Sequence, residues 1–428
     1  MAAPKNLLGK VATRKNLEMA WHDISRFARP FSHGMSQQTI EEFRANSKSN
    51  LEVIRNELLS GNYRFGNVRA VTIKKKNGKK RPLKIADVRD RVVQRAITRV
   101  LEKYLEIKFS LNNTASHAYL RKKGVRTAIA RMLKLHNDGY HIVLEADIEK
   151  FFDTVDLNKL LNEMVFPNLP DTTIHQLIEG AFKMEIGNKN ELLDDDFELY
   201  PESSVGIPQG GYLSPLFSNI YLSELDQSML RGNFQLIRYA DDFIIMCKTM
   251  GEAENAYNLA KKILEDDLNL KLHPRSDTDK QAKTRIVKVS QTTINFLGIQ
   301  FNGMRIWPDP EKRIKLSNKL SSINKNSRHV RELLNSINNL LEGWVAAYGF
   351  CDLNENYMNE IDNEVGKVLW IGLKNFGWKL KPKFLSKEQR LNSGIKSIHW
   401  HLDVVRGNLR KEGKLFSKYW SKRENKNV

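Results

Sequence analysis

Three carboxylates at the ends of apolar strands constrain this chain more than any other feature. Ile142-Val143-Leu144-Glu145-Ala146-Asp147 reads as a buried strand that finishes on an acid. Phe234 to Ile237 and Phe243 to Met246 are apolar runs flanking Asp241-Asp242, a pattern that predicts a hairpin with two acids at its turn. Ionised carboxylates at the ends of buried strands are costly unless something neutralises them. A pair of Mg2+ ions is one good answer, because hard cations prefer carboxylate oxygens and Mg2+ keeps water or phosphates as its other ligands. Two such ions about 4 Å apart activate a hydroxyl and stabilise a leaving group. Phosphoryl transfer needs that positioning and charge neutralisation more than covalent chemistry. A lone Asp-Asp in a hairpin is ordinary turn chemistry, so the flanking sequence has to decide.

The remaining chain is compatible with a polyanion-handling enzyme. Its 428 residues correspond to two or three domains at about 150 residues each. A hydrophobic content of 41% excludes a disordered chain. The net charge of +19 favours a phosphate-rich partner through counterion release, against the plainer reading of a basic surface kept for solubility. The two cysteines, Cys247 and Cys351, form no CxxC pair, which excludes a zinc ribbon or disulfide framework and points to small buried hydrophobes in a reducing compartment. The N-terminal residues lack the apolar core of a signal peptide, and no run of about 20 apolar residues occurs. No membrane association and a cytoplasmic location are expected.

Leu17, Trp21, Ile24 and Phe27 recur at helical spacing within a helical region over 14–60, and Gly61-Asn62 stops it. Val68 to Ile73 alternates as a strand, followed by a basic loop from Lys74 to Lys80 with Asn77-Gly78 as its turn. Asp87 to Leu105 and Glu252 to Leu264 read as helices, and Leu157 to Met164 begins another. Residues 185–204 read as a solvated loop, and Phe296-Leu297-Gly298-Ile299 as a short strand. After Pro308 and Pro310 the composition becomes helical, Lys-rich and Trp-containing, which places a boundary there.

In this setting Tyr239-Ala240-Asp241-Asp242, downstream of Asp147-x-x-x-Phe151-Phe152, resembles the palm of reverse transcriptases, in the YADD form of group II intron-type enzymes. The resemblance continues in order along most of the chain. Lys79-Lys80-Arg81-Pro82-Leu83-Lys84-Ile85 with Asp90-Arg91-Val92-Val93-Gln94 is similar to the fingers motif, and Asp147 to Asp153 to the first catalytic motif. Gly206-Ile207-Pro208-Gln209-Gly210-Gly211-Tyr212-Leu213-Ser214-Pro215 is similar to the template-and-nucleotide motif. Phe296-Leu297-Gly298 matches a strand that handles the primer, and Ile337 to Tyr348 resembles the thumb of intron maturases.

The resemblance implies an α+β right-hand polymerase. Fingers would occupy 1–140 with the N-terminal helices, a palm of antiparallel sheet plus helices 141–305, and a basic helical thumb 306–428. It implies an RNA-directed DNA polymerase using two Mg2+ ions, with Mn2+ as a substitute, held by Asp147, Asp241, Asp242 and the backbone carbonyl of Ile148. Phe152 takes the place of the sugar gate that rejects a 2′-hydroxyl, while Phe151 is expected in the core. Arg81 matches the arginine that clamps the incoming dNTP, where a planar fork suits phosphate. Lys80, Tyr239 and Gln209 are further nucleotide-site candidates, with Lys74, Lys75, Lys76 and Lys79 as charged neighbours. Lys283-Thr284 resembles a Lys-Thr pair whose lysine serves as general acid toward pyrophosphate, although the Asp277 to Gln281 stretch is longer than the usual form. Trp344, Tyr348, Trp370, Trp378, Trp400 and Trp420 interleave with basic residues, which suits stacking on nucleic acid, with most tryptophans expected in the core.

Three features separate the chain from complete intron maturases. It lacks the cysteine pairs of an HNH endonuclease and ends before a DNA-binding region, and Ala28 to Met35 replaces the family's usual N-terminal glycine-and-aspartate loop. Stand-alone antiphage defence-associated enzymes share this size and look, whereas retron enzymes carry a Val-Thr-Gly triplet in the thumb that is absent here. The resemblance therefore implies a structured, co-encoded non-coding RNA as template partner, and a cDNA product acting in defence. The alternatives are a retron or intron-derived enzyme or maturase acting mainly as an RNA-binding protein, and an RNA-directed RNA polymerase, against which Phe152 argues.

Overall fold

A computed structural model describes residues 6–74, 78, 80–200, 205–279, 281–379 and 387–411. Lys75, Lys76, Asn77 and Lys79 of the basic loop, and Trp420, lie outside the described residues. The chain divides into two compact units, 1–128 with 142–286, and 129–141 with 287–428.

In the first unit, helices Arg14–Ser25, Ser47–Leu59 and Val88–Lys108 bury the periodic apolar positions, among them Leu17, Trp21, Ile24, Ile54, Val93 and Ile97. Thr39 opens the intervening helix Ile40–Ala45 with a reciprocal capping box to Glu42, which satisfies orphan backbone donors. β1 (Arg69–Lys74) and β2 (Lys80–Ile85) form an antiparallel ribbon in which Ile73 faces Arg81. β3 (Ile142–Asp147), β4 (Gln235–Tyr239), β5 (Asp242–Cys247) and β6 (Arg285–Lys288) form one sheet in the order β4-β5-β3-β6. The β3–β5 and β4–β5 pairs are antiparallel. Helices Ser214–Tyr221 and Met250–Lys261 contribute Phe217, Ile220, Ala253 and Ala256 to the same core as Leu144, Phe243 and Ile245.

The segment expected as a solvated loop at 185–204 is partly sewn to β1. Val68 donates to the carbonyl of Glu185 (2.7 Å), Gly187 to that of Val68 (3.0 Å), and buried Asn188 bonds both backbone groups of Ala70. An extended edge satisfies its free backbone groups this way, and composition alone does not register it.

In the second unit, β7 (Ile294–Phe296), β8 (Ile299–Phe301) and β9 (Ile306–Pro308) form an antiparallel meander. Phe296-Leu297-Gly298-Ile299 is therefore a tight hairpin and not one strand. Leu297 (φ +56°) and Gly298 (φ +76°) are its two central residues, both left-handed as a type I′ turn requires. Helices Pro310–Asn326, Val330–Tyr348, Glu355–Asn375 and Ile398–Lys411 follow, with Leu320, Ile337, Leu341, Ile361, Leu369 and Leu402 buried. The expectation that most tryptophans here are core is corrected: Trp344 is buried, but Trp378 and Trp400 are 51% and 41% exposed. Lysines cover indole faces instead, with Lys396 Nζ 3.7 Å from the Trp400 ring centre and Lys374 Nζ 5.2 Å from that of Trp370.

Candidate active site

The antiparallel register of β3 and β5 places Asp147 directly opposite Asp242, and that of β4 and β5 places Tyr239 opposite Asp242. Asp241 sits in the connecting turn beside Ala240, which takes φ +58°. Asp242 is the exposed first residue of β5, and its carboxyl is influenced by several other acids. Loss of hydration and then the charges of Asp147, Asp241 and Glu145 push it up to about 7. Burial raises Asp241 as well, with Asp147 adding to the effect and Arg81 and Lys283 opposing it. Arg81, on β2, therefore contributes positive charge at this turn.

Lys283 reaches the cluster. Its Nζ lies 2.5 Å from Asp147 Oδ2 and 3.1 Å from His273 Nε2. His273 stands 3.6 Å from both Asp147 Oδ2 and Glu149 Oε1, and its backbone N–H donates to the Asp147 carbonyl at 3.0 Å. The bridge between Ile148 and Leu272 is closed by the backbones of Asp147 and Glu149, which leaves the Ile148 carbonyl out of its hydrogen bonds.

The Gln209 loop is tied to both neighbours. Ile207 N–H donates to the Phe152 carbonyl (2.8 Å), and Gly206 N–H to that of Val155 (2.9 Å). Gly206 takes φ +81°, and a Cβ there would lie 2.7 Å from the Phe152 carbonyl oxygen, so only glycine fits. Gln209 donates through Nε2 to Asp153 Oδ1 (3.2 Å), and its carbonyl accepts from Lys84 N–H of β2 (3.2 Å). Phe152, half-buried, meets fully buried Phe151 edge-on at 5.3 Å between ring centres. Lys80 ion-pairs with Asp196, so in this conformation it is engaged away from the acids.

Sequence reasoning missed His273, Tyr119 and the pair Arg285–Glu145 (2.5 Å). Tyr119 is raised by burial and then by the charges of Asp241 and Tyr239. No spacing rule marks these residues, because they converge only through tertiary contact. Buried Asp226 did leave a signal: it shares a helix face with Leu222, Leu225 and Met229, where an unpaired acid would be expensive.

Among the described residues no group of three or more His, Cys, Asp or Glu side chains is placed to hold a metal ion by itself. Mg2+ in phosphoryl transfer needs only one or two protein carboxylates and fills its octahedron with water and phosphate. Desolvation and then the charges of Asp147, Asp241 and Glu145 raise Asp242 against the opposing Lys283, and crowded carboxylates of this kind are a donor set that suits hard divalent cations.

Residues 73–301 match the family described as reverse transcriptase (RNA-dependent DNA polymerase). The chain is 32% identical over 286 residues to protein YkfC of Escherichia coli, an alignment covering 58% of this chain and 70% of that protein. It is 32% identical over 212 residues to the group II intron-encoded protein LtrA of Lactococcus lactis, covering 49% and 33%. With the putative COX1/OXI3 intron 1 protein of Saccharomyces cerevisiae the identity is 23% over 415 residues, covering 82% and 46%. The chain thus spans less than half the length of these two intron-encoded relatives. A solved Cas6-RT-Cas1–Cas2 complex superposes with a TM-score of 0.36 at 25% identity, over 61% of this chain and 42% of that one. Members of the matched family use divalent metals. The chain belongs to the reverse transcriptase family and is an RNA-directed DNA polymerase.

Proposed function

We propose that this chain makes cDNA from a specific structured RNA, with Asp147, Asp241 and Asp242 as its catalytic acids. The observation that carries the reading is the register: Asp147 and Asp242 stand opposite each other across β3 and β5, with Asp241 in the adjoining turn. The three acids, with the Ile148 carbonyl, would hold two Mg2+ ions. When bound, the ions supply a more acidic 3′-hydroxyl and charge neutralisation at the phosphates.

Arg81 grips the dNTP triphosphate, with Lys80 joining it once released from Asp196. Phe152 excludes the 2′-hydroxyl, and Gln209 and Tyr239 line the nucleotide pocket. Lys283, against Asp147, donates a proton toward pyrophosphate. Fingers over 1–140, palm over 141–305 and thumb over 306–428 form the functional division. Among the described residues no helix is long and apolar enough to cross a membrane. The cytoplasm is the proposed site of action.

The template is a co-encoded non-coding RNA and the cDNA serves antiphage defence, a reading supported by the resemblance to antiphage defence-associated enzymes. The similarity to intron-encoded proteins favours the second reading, a maturase-like RNA binder. Sequencing the RNA and DNA that co-purify with the protein from its native host distinguishes them. A neighbouring structured RNA with complementary DNA supports synthesis in defence. A spliced intron without complementary DNA overturns it.

A further inference from the structure

Beneath the Ala240-Asp241 turn lies an ion pair without solvent exposure on either side chain, Arg238 with Asp226. Nε and Nη2 of Arg238 each donate to one Asp226 oxygen at 2.6 Å. Nη2 also donates to Ser116 Oγ at 3.2 Å. Nη1 donates to Asn219 Oδ1 at 3.1 Å and to the carbonyl of Ala240 at 2.9 Å. The backbone of Arg238 is equally committed, donating to the Ala115 carbonyl (2.8 Å) and accepting from His117 N–H (2.9 Å). One guanidinium thereby joins the catalytic hairpin to helices Ser214–Tyr221 and Ser223–Arg231 and to the 115–117 segment.

Its contact with Ala240 bears on catalysis. Ala240 is left-handed at φ +58°, a conformation that costs a non-glycine residue free energy and persists only where the surroundings hold it. Arg238 holds the carbonyl of that residue, one position before Asp241. A buried ion pair is a poor source of net stability, since apolar side chains of similar volume usually replace it without loss. Directionality is what the fork adds: it orients a peptide, which an apolar replacement does not.

We infer that Arg238, aimed by Asp226, is a positioning residue that fixes the Ala240-Asp241 turn in the geometry that binds metal. This rests on the assignment of Asp241 as a metal ligand. The test uses the full chain with Arg238→Met/Asp226→Leu, which removes both charges at similar volume, and Arg238→Lys, which keeps a charge for Asp226 but loses the fork. Thermal unfolding establishes which variants fold, and primer extension on an RNA template is titrated with Mg2+. The expected result is at least about a tenfold rise in half-saturating Mg2+ in each folded variant, with RNA binding unchanged, because small misplacements of reacting groups are costly. Wild-type Mg2+ dependence in any folded variant overturns the inference. Asp241→Asn is run alongside. Retained synthesis in that variant sinks the site assignment itself, whereas loss of synthesis there with wild-type Mg2+ dependence in the Arg238 variants sinks only the positioning role.

Discussion

Replacing Lys283 separates a surface ion pair from a proton donor, because the two differ by orders of magnitude. Lys283 is 57% exposed and Asp147 26% exposed, so their 2.5 Å contact is well screened by water. Such pairs contribute about 0–1 kcal/mol. Lys283→Ala should therefore move the melting temperature by no more than about 4 °C. General acid catalysis contributes about 10²–10⁴-fold. The same variant should thus lose about 10²-fold or more in single-turnover dNTP incorporation at saturating Mg2+ and dNTP. Lys283→Arg keeps the charge near Asp147 but holds its proton too tightly to transfer it, and should remain slow. Rapid-quench primer extension gives the rate. A loss below about tenfold in Lys283→Ala, or full recovery in Lys283→Arg, would refute the acid role and leave only an electrostatic neighbour of Asp147.

Phe152→Ala should raise ribonucleotide use relative to deoxynucleotide use by about 10–200-fold, read as the ratio of kcat/KM for each, at a stability cost of about 2 kcal/mol because the ring is only half-buried. An unchanged ratio removes the sugar-gate assignment. For pH, Asp242 in the metal-free protein keeps its proton between 3.8 and about 7, where the unfolded chain has released it. Its contribution therefore favours the fold at low pH and is lost as pH rises through about 7. Metal must displace that proton, so half-saturating Mg2+ should fall about tenfold per unit as pH rises toward 7 and then level off. A flat profile between pH 5.5 and 8 would contradict the charge crowding at the hairpin.

Much of the site is legible in sequence because its parts are local. An apolar run ending on Asp147 and a hairpin carrying Asp241 and Asp242 each leave a mark within a few residues. Lys283 is marked by a Lys-Thr pair, and the structure brings it to Asp147 despite the longer stretch before it. What stays hidden is assembled across the chain. His273 meets Asp147 and Glu149 through an isolated bridge, and Asn188 supports β1 from 118 residues away. The hairpin at Leu297-Gly298 reads as one strand because a leucine, not asparagine, occupies the first left-handed position. Partly exposed tryptophans were unexpected because lysine contacts, rather than a deeper core, cover part of their surface.

The central claim is that Asp147, Asp241 and Asp242 form the metal-binding centre of an RNA-copying polymerase. Asp241→Asn tests it most directly, since the substitution preserves volume and changes only the charge at the hairpin turn. Mg2+-dependent dNTP incorporation on an RNA template should be abolished, while binding of that RNA and the melting temperature stay close to wild type. DNA synthesis that persists in the folded variant would contradict the account.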